Sequence, residues 1–249
     1  MATFSSFQDI LPDPNNYLSE AGSSQSGDAG ASLGPGFTSV KFSAKQPTMG
    51  TRTNSGRYIA RSVAAHSWNI DISYNSLTRA EFEPVFSFLM SRQGKLNPFF
   101  IELPQYLVSQ DSTFAASVVT NDVAINETGS IPAGRTYFRT SYAGSGTPRQ
   151  GDIFTITDTG NSNHTKAYQV TRVETSTDYN TSFDAATNPG SGELRLHFSP
   201  PLVASTARLS VLDFTEPRIR VVQSKDVQEY SLGVDGLYKF SLSVEEAAP

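Results

Sequence analysis

Between Ser67 and Tyr74 the chain alternates without a break. Trp68, Ile70, Ile72 and Tyr74 are apolar, while Ser67, Asn69, Asp71 and Ser73 are polar. Successive side chains of a strand point to opposite faces, so this period of two predicts a β-strand over about 64–74 with one buried face. The same pattern closes the chain. Tyr238, Phe240, Leu242 and Val244 alternate with Lys239, Ser241, Ser243 and Glu245, behind an Asp235-Gly236 turn signal. Phe37, Val40 and Phe42 mark a shorter strand, followed by a polar loop reading KQPTMGTRTNSG. A further strand is expected at 96–103, ended by Pro104.

The period changes at Leu77. Thr78 and Glu81 form a T-x-x-E capping box, and Leu77 and Phe82 have the spacing of a hydrophobic staple. Phe82, Val85, Phe86, Leu89 and Met90 then fall on one helical face, which predicts a helix at about 78–92. Arg92 in the last turn and Gly94 beyond it suit the stop. Pro84 lies past the first turn and predicts a bend or a delayed regular start.

From about 111 to 205 the chain becomes a series of short β segments divided by Gly, Pro, Asn and Ser. Strands are expected at 115–119, 135–140, 152–157, 167–174 and 193–198, with no helix. Longer strands return at 207–214 and 218–223. The pattern therefore predicts a mainly β chain. Residues 37–110 and 206–249 would form one β domain carrying a single α-helix, and 111–205 a small all-β domain inserted into it. Insertion is tolerated at exposed loops whose two ends lie close together.

Residues 1–36 stand apart. The stretch 18–37 is dense in Ser, Gly and Ala, and alone it cannot bury enough surface to offset its ordering entropy. Such an arm is a flexible tail unless neighbouring subunits order it. Its apolar anchors, and hence the candidate assembly contacts, would be Phe4, Phe7, Ile10, Leu11 and Tyr17.

Composition narrows the classes of function. Charged residues make up 17% of the 249, against roughly 25% in an average soluble protein. A surface poor in charge and rich in Ser, Thr, Asn and Gly suits contact with other protein. The net charge of −5 argues against direct nucleic-acid binding, which needs a basic stripe. No apolar run approaches the ~18 residues of a membrane span, and MATFSSFQDI lacks the pattern of a secretory signal. With no cysteine, disulfides and thiolate metal sites are excluded.

Catalytic apparatus is not visible. His66, His164 and His197 lie in separate segments, read as surface or strand residues, and have no ligand or triad spacing. There is no G-x-S-x-G and no phosphate-binding loop. Two carboxylates suffice for a glycosidase. The candidates Asp71, Glu81, Glu83, Glu102, Asp152, Asp178, Asp184 and Glu193 have no spacing that pairs any two of them. Asp178, Asn180 and Asp184 depart from the calcium-loop spacing and fit turn chemistry better. The expectation is a non-enzyme without cofactor or metal. Trp68, Tyr74, Phe86, Phe99 and Phe100 read as core, whereas Tyr137, Tyr142, Tyr168 and Tyr179 are candidates for stacking on sugars.

Two segments carry a resemblance. HSWNIDISYNSLTRAEFEPVFSFLMSRQGKLNPFFIELP is similar to a block of bacteriophage distal-tail and related tail-tip proteins, where an aromatic strand leads through L-T-R-A-E into a helix and back to a strand. Residues 151–202, with their G-D turn, Y-x-V strand and F-x-P-P-L strand, resemble an inserted β module of such proteins, and GLYKFSLSVEEA resembles their closing strand. Together these cover about half the chain. The resemblance implies a β-sandwich or split barrel, related to tail-tube folds, with one helix. It implies a virion protein of the tail or baseplate, assembled in the host cytoplasm into a ring, commonly a hexamer, that joins the tail tube to hub, wedge or fibre proteins. The arm at 1–36 is not part of the family pattern. Rival expectations are a carbohydrate- or receptor-binding tail module and, further off, a tail-associated cell-wall hydrolase.

Overall fold

The computed structural model describes residues 10–12, 37–62, 66–176 and 189–247. The protein is mainly β and divides into two compact units. The described residues of Met1–Ile101 and Arg220–Ala248 form one, and Glu102–Ile219 the other. The insertion is thus wider than 111–205. The segment around 207–214, expected to serve the outer domain, supplies a strand to the inserted one.

The outer unit is built on an open sheet. Its strands are β1 (Phe37–Lys45), β4 (Ser67–Tyr74), β5 (Phe99–Glu102), β12 (Arg218–Gln223), β13 (Tyr230–Leu232) and β14 (Tyr238–Glu246). Their order is β1-β4-β14-β12-β5, with β13 paired to the other end of β14. Antiparallel register sets Ile72 opposite Leu242 and Ile70 opposite Val244. The predicted alternation holds, since Trp68, Ile70, Ile72, Tyr74, Phe240, Leu242 and Val244 are all buried.

The helix α1 spans Arg79–Ser91, with Thr78 as N-cap. Thr78 donates both its backbone N–H (2.7 Å) and its hydroxyl (2.8 Å) to Glu81 Oε2, so the capping glutamate satisfies a donor that the helix start leaves free. Leu77, Phe82, Val85 and Leu89 are buried. Phe86 is half-buried and Met90 is exposed, so the apolar face is narrower than the sequence suggests. Phe82 stacks on Tyr238 at 4.6 Å and also packs against Tyr230 and Phe240, which fastens helix to sheet. The far end of α1 is held by Gln223, buried, whose Nε2 donates to the Leu89 carbonyl at 2.8 Å. Gln93 and Gly94 reverse the chain with φ of 55° and 66°.

The inserted unit is a closed six-stranded barrel. Its strands are β6 (Val123–Ile125), β7 (Tyr137–Ser141), β8 (Ile153–Thr157), β9 (Tyr168–Glu174), β10 (Glu193–Ser199) and β11 (Val211–Asp213). They close in the order β10-β7-β6-β11-β8-β9. Closure removes the edges that make short strands hazardous. Phe138, Phe154, Tyr168, Leu196, Phe198 and Phe214 fill the interior. The strand expected at 115–119 is instead a helix, α2 (Ser112–Val118). Asp111 caps it, accepting the N–H groups of Thr113 and Phe114 at 3.0 Å each, and Phe114 inserts between Tyr142 and Phe214. An Asp three residues before an apolar pair reads as a turn beside a strand unless the cap is recognised. The chain leaves the sheet at β5 and returns at β12, neighbours in that sheet, and Arg218 Nε meets Glu102 Oε1 at 2.8 Å across the two ends of the insertion.

Candidate assembly surface

The loop expected after β1 contains a hairpin. β2 (Thr48–Arg52) and β3 (Tyr58–Ser62) pair from Thr48↔Ser62 to Arg52↔Tyr58 and join no other strand among the described residues. They continue the β1–β4 ribbon past its last pair, Lys45↔Ser67. Pro47 lacks an N–H and interrupts the ladder there. The turn is closed by Thr53, whose N–H donates to the Arg57 carbonyl at 2.9 Å, and by Gly56 at φ 82°. The Tyr58 side chain lies over Gly50, the one position in β2 with no Cβ to obstruct it. Every described side chain of β2 is exposed. Met49 and Tyr58 are 68% and 62% exposed, and Ile59 is half exposed. An isolated two-stranded hairpin is at best marginally stable in water, and among the described residues nothing covers the apolar side chains that this one presents outward.

The hairpin is also basic. Lys41, Lys45, Arg52, Arg57 and Arg61 fall between Asp28 and Asp71, an interval without a single acidic residue. The chain as a whole carries −5.

A second exposed apolar segment lies at β13. Val227, Tyr230, Leu232 and Val234 are each half or more exposed. Asp226, Glu229 and Asp235 accompany them and are exposed too. β13 pairs with β14 through Tyr230↔Phe240 and Leu232↔Tyr238, and its other edge pairs with nothing among the described residues. The segment is nonetheless held firmly from within. Tyr230 packs against Phe82, Phe86 and Tyr238, and Gln228 donates to Gln223 Oε1 at 2.7 Å.

Of the expected arm contacts, Phe4, Phe7 and Tyr17 lie outside the described residues. Ile10 and Leu11 are buried within their own chain. Ile10 bridges to Phe100 of β5, and the Leu11 N–H donates to the Phe100 carbonyl at 2.9 Å. These two therefore extend the chain's own sheet and are not free for a neighbour.

The carboxylates considered for catalysis have structural partners. Asp71 accepts from Ser243 at 2.7 Å, Glu83 pairs with Arg79, and Glu193 accepts from Asn126 and from the Gly190 N–H. Asp152, buried, accepts the Arg149 and Gln110 N–H groups and the Ser109 hydroxyl. Asp178, Asn180, Asp184 and Tyr179 lie outside the described residues. Among the described residues no three His, Asp or Glu side chains converge on a metal position.

His164 was read as a surface or strand residue and is neither. It is buried in a loop, with Nε2 2.7 Å from the Tyr168 hydroxyl and Nδ1 3.4 Å from Asp158 Oδ2. Burial pushes its pKa below the ordinary value, with Asp158 opposing that shift. Of the candidate sugar platforms, Tyr142 and Tyr168 are buried, and Tyr137 is sandwiched beside Arg135 and His197. Aromatic alternation in a closed barrel marks core at least as readily as a binding face.

One pair escaped the sequence reading. Asp122 and Asp213, 91 positions apart in no motif, both line an open depression of about 420 Å³ with Val118, Val119 and Thr157. Burial raises the Asp213 carboxyl above its ordinary pKa, and the charge of Asp122 adds to the shift. The Thr215 N–H binds Asp213 Oδ1 at 2.9 Å. The hydroxyls that line it are those of Thr157 and Thr215, and no histidine or lysine among the described residues lines it to act as their base. A larger open depression, about 630 Å³, is lined by Gln110, Arg149, Val173 and Thr175 and holds no converging carboxylates.

No protein-family model matches the chain, and no curated protein matches it.

Proposed function

We propose that this chain is a non-catalytic structural subunit of a bacteriophage tail tip or baseplate, which assembles with copies of itself into a ring and joins the tail tube to hub, wedge or fibre proteins. The observation that carries the reading is the β2–β3 hairpin. It is a regular element with exposed apolar side chains and, among the described residues, two unpaired edges, attached to a well-packed sheet. Edge pairing between subunits supplies main-chain hydrogen bonds, while side chains fix the register. The residue order L-T-R-A-E before a capped helix, and the insertion between two neighbouring strands, support the tail-tip form of this reading. In the virion the protein would sit in the tail, without cofactor and without direct contact to nucleic acid.

The test is the mass of the purified full chain by native mass spectrometry and sedimentation. A closed oligomer of defined number supports the reading. A monomer at every concentration up to the solubility limit counts against self-assembly.

A further inference from the structure

We infer that the ring contact is heterologous, with the basic β2–β3 hairpin of one copy adding to the open edge of β13 on the next. This inference rests on the assembly reading and gives it an address.

Three independent properties match. The first is edge geometry: among the described residues β13 offers an unpaired edge, and the hairpin offers the outer edges of β2 and β3. Joining them lengthens the β14–β13 ladder by main-chain bonds. The second is apolar exposure. Met49, Tyr58 and Ile59 on one element and Val227, Tyr230, Leu232 and Val234 on the other are the larger share of the exposed large apolar side chains in the outer unit. Met49 and Ile59 share one face of the hairpin and Tyr58 takes the other, so edge pairing sets neighbouring apolar side chains side by side and removes part of each set from water. The third is charge. Arg52, Arg57 and Arg61 face outward on the hairpin, while Asp226, Glu229 and Asp235 face outward around β13 beside the cations Lys225 and Lys239, which leaves that surface net acidic by one charge. Opposite potentials fix partner and orientation, and they oppose the pairing of hairpin with hairpin or of β13 with β13. The two elements differ, so each copy uses one to give and one to receive. A contact of that kind repeats from copy to copy and ends only on closure into a ring.

Rigidity differs between the two partners in the expected sense. β13 is pinned by the Phe82–Tyr230–Tyr238 cluster and by Gln228 on Gln223, so the receiving edge is preformed. Among the described residues the hairpin is held by its own ladder and turn alone.

Charge reversal tests the pairing on the full chain. R52E/R61E makes the hairpin acidic, and D226R/E229R makes the β13 surface basic. All four side chains are exposed, and circular dichroism with thermal melting checks that each variant folds as the parent does. Native mass spectrometry reads the outcome at concentrations where the parent is fully assembled. Each variant alone is expected to lose the oligomer. An equimolar mixture is expected to recover it with equal numbers of the two chains, because each hairpin then meets a β13 of opposite charge. Oligomers that persist in both single variants, or a mixture that stays monomeric, overturn this interface while leaving the assembly reading intact. A parent chain that is monomeric throughout overturns both.

Discussion

Asp158 is the strongest single point in the barrel at which to test the reasoning about stability. Its carboxylate is fully buried. Oδ1 accepts from the Gly160 N–H at 2.8 Å, the Ala207 N–H at 3.2 Å and the Ser210 hydroxyl at 3.3 Å, while Oδ2 faces His164 Nδ1 at 3.4 Å. These bonds hold its carboxyl below the usual carboxylate range, although burial pulls the other way. Asp158→Ala leaves Ser210 and His164, both buried, without this acceptor. An orphaned buried donor costs roughly 1–3 kcal/mol, and bonds to a charged acceptor stand at the upper end, so the loss should be about 3–5 kcal/mol. Asp158→Asn keeps one oxygen and should cost about half as much. Trp68 is the only tryptophan and lies in the outer unit, so its fluorescence reports that unit, while far-UV circular dichroism also follows the barrel. With a urea slope of about 2 kcal/mol per molar, the barrel transition should move down by about 2 M in Asp158→Ala. A barrel midpoint unchanged within about 0.3 M would refute the account.

The remaining expectations concern pH, a helix end, a turn and an ion pair. His164 and His197 both have pKa values lowered by burial, so as pH falls below about 6.5 the unfolded chain takes up protons that the folded one refuses. Stability is therefore full above that value and declines on acidification. His164→Gln should flatten the decline, each proton contributing a slope of at most ~1.4 kcal/mol per pH unit in urea titrations repeated across that range. Gln223→Ala removes the donor to the Leu89 carbonyl and should lower the Trp68 unfolding midpoint by an amount equal to ~1–3 kcal/mol. Gly146 has φ 78°, and a Cβ there would meet the Phe114 backbone nitrogen at 2.5 Å, whereas Gly134 at φ 88° faces open space. Gly146→Ala should thus cost well over the ~1–2 kcal/mol of a left-handed alanine, and Gly134→Ala no more than that, as read by thermal melting. Glu174 binds buried Arg195 at 3.1 Å and exposed Arg172 at 2.6 Å, so Glu174→Ala should cost about 3–5 kcal/mol in chemical denaturation and Arg195→Met less, since Glu174 keeps Arg172.

What could be read in advance follows from where each segment finds its partner. β4 and β14 pack one face on the core of their own unit and the other on solvent, so burial writes itself into the sequence as alternation. α1 was legible because Thr78, Glu81, Leu77 and Phe82 encode its start locally. α2 was not, because Ser-Thr-Phe-Ala-Ala-Ser-Val is too short for a helical period, and its capping Asp111 looks like any turn residue. The limits of the insertion are hidden in the sequence for a related reason. β11 is three residues long and takes its place in the barrel from pairing with β6 and β8, which are distant in sequence. Ile10 and Leu11 show the same dependence, since nothing local indicates that they bridge to Phe100.

The β2–β3 hairpin is the instructive failure. KQPTMGTRTNSG has the Gly, Pro, Asn and Thr content of a loop, yet five residues of it and five beyond form a regular ladder. Alternation is absent because neither face of the hairpin meets a core in its own chain. Among the described residues each strand of the hairpin is paired only to its twin and exposed on both faces, so no interior among them selects Met49, Tyr58 and Ile59, and the proposed neighbour supplies one. Cations selected without one intervening acid carry the same signature, for a surface facing solvent alone does best with both signs interspersed. The β13 segment departs from alternation in the opposite charge sense while keeping Tyr230 anchored on α1. Where pattern fails in a segment that is nevertheless ordered, a missing partner is the natural explanation, and the proposed contact makes each of these two segments the partner of the other.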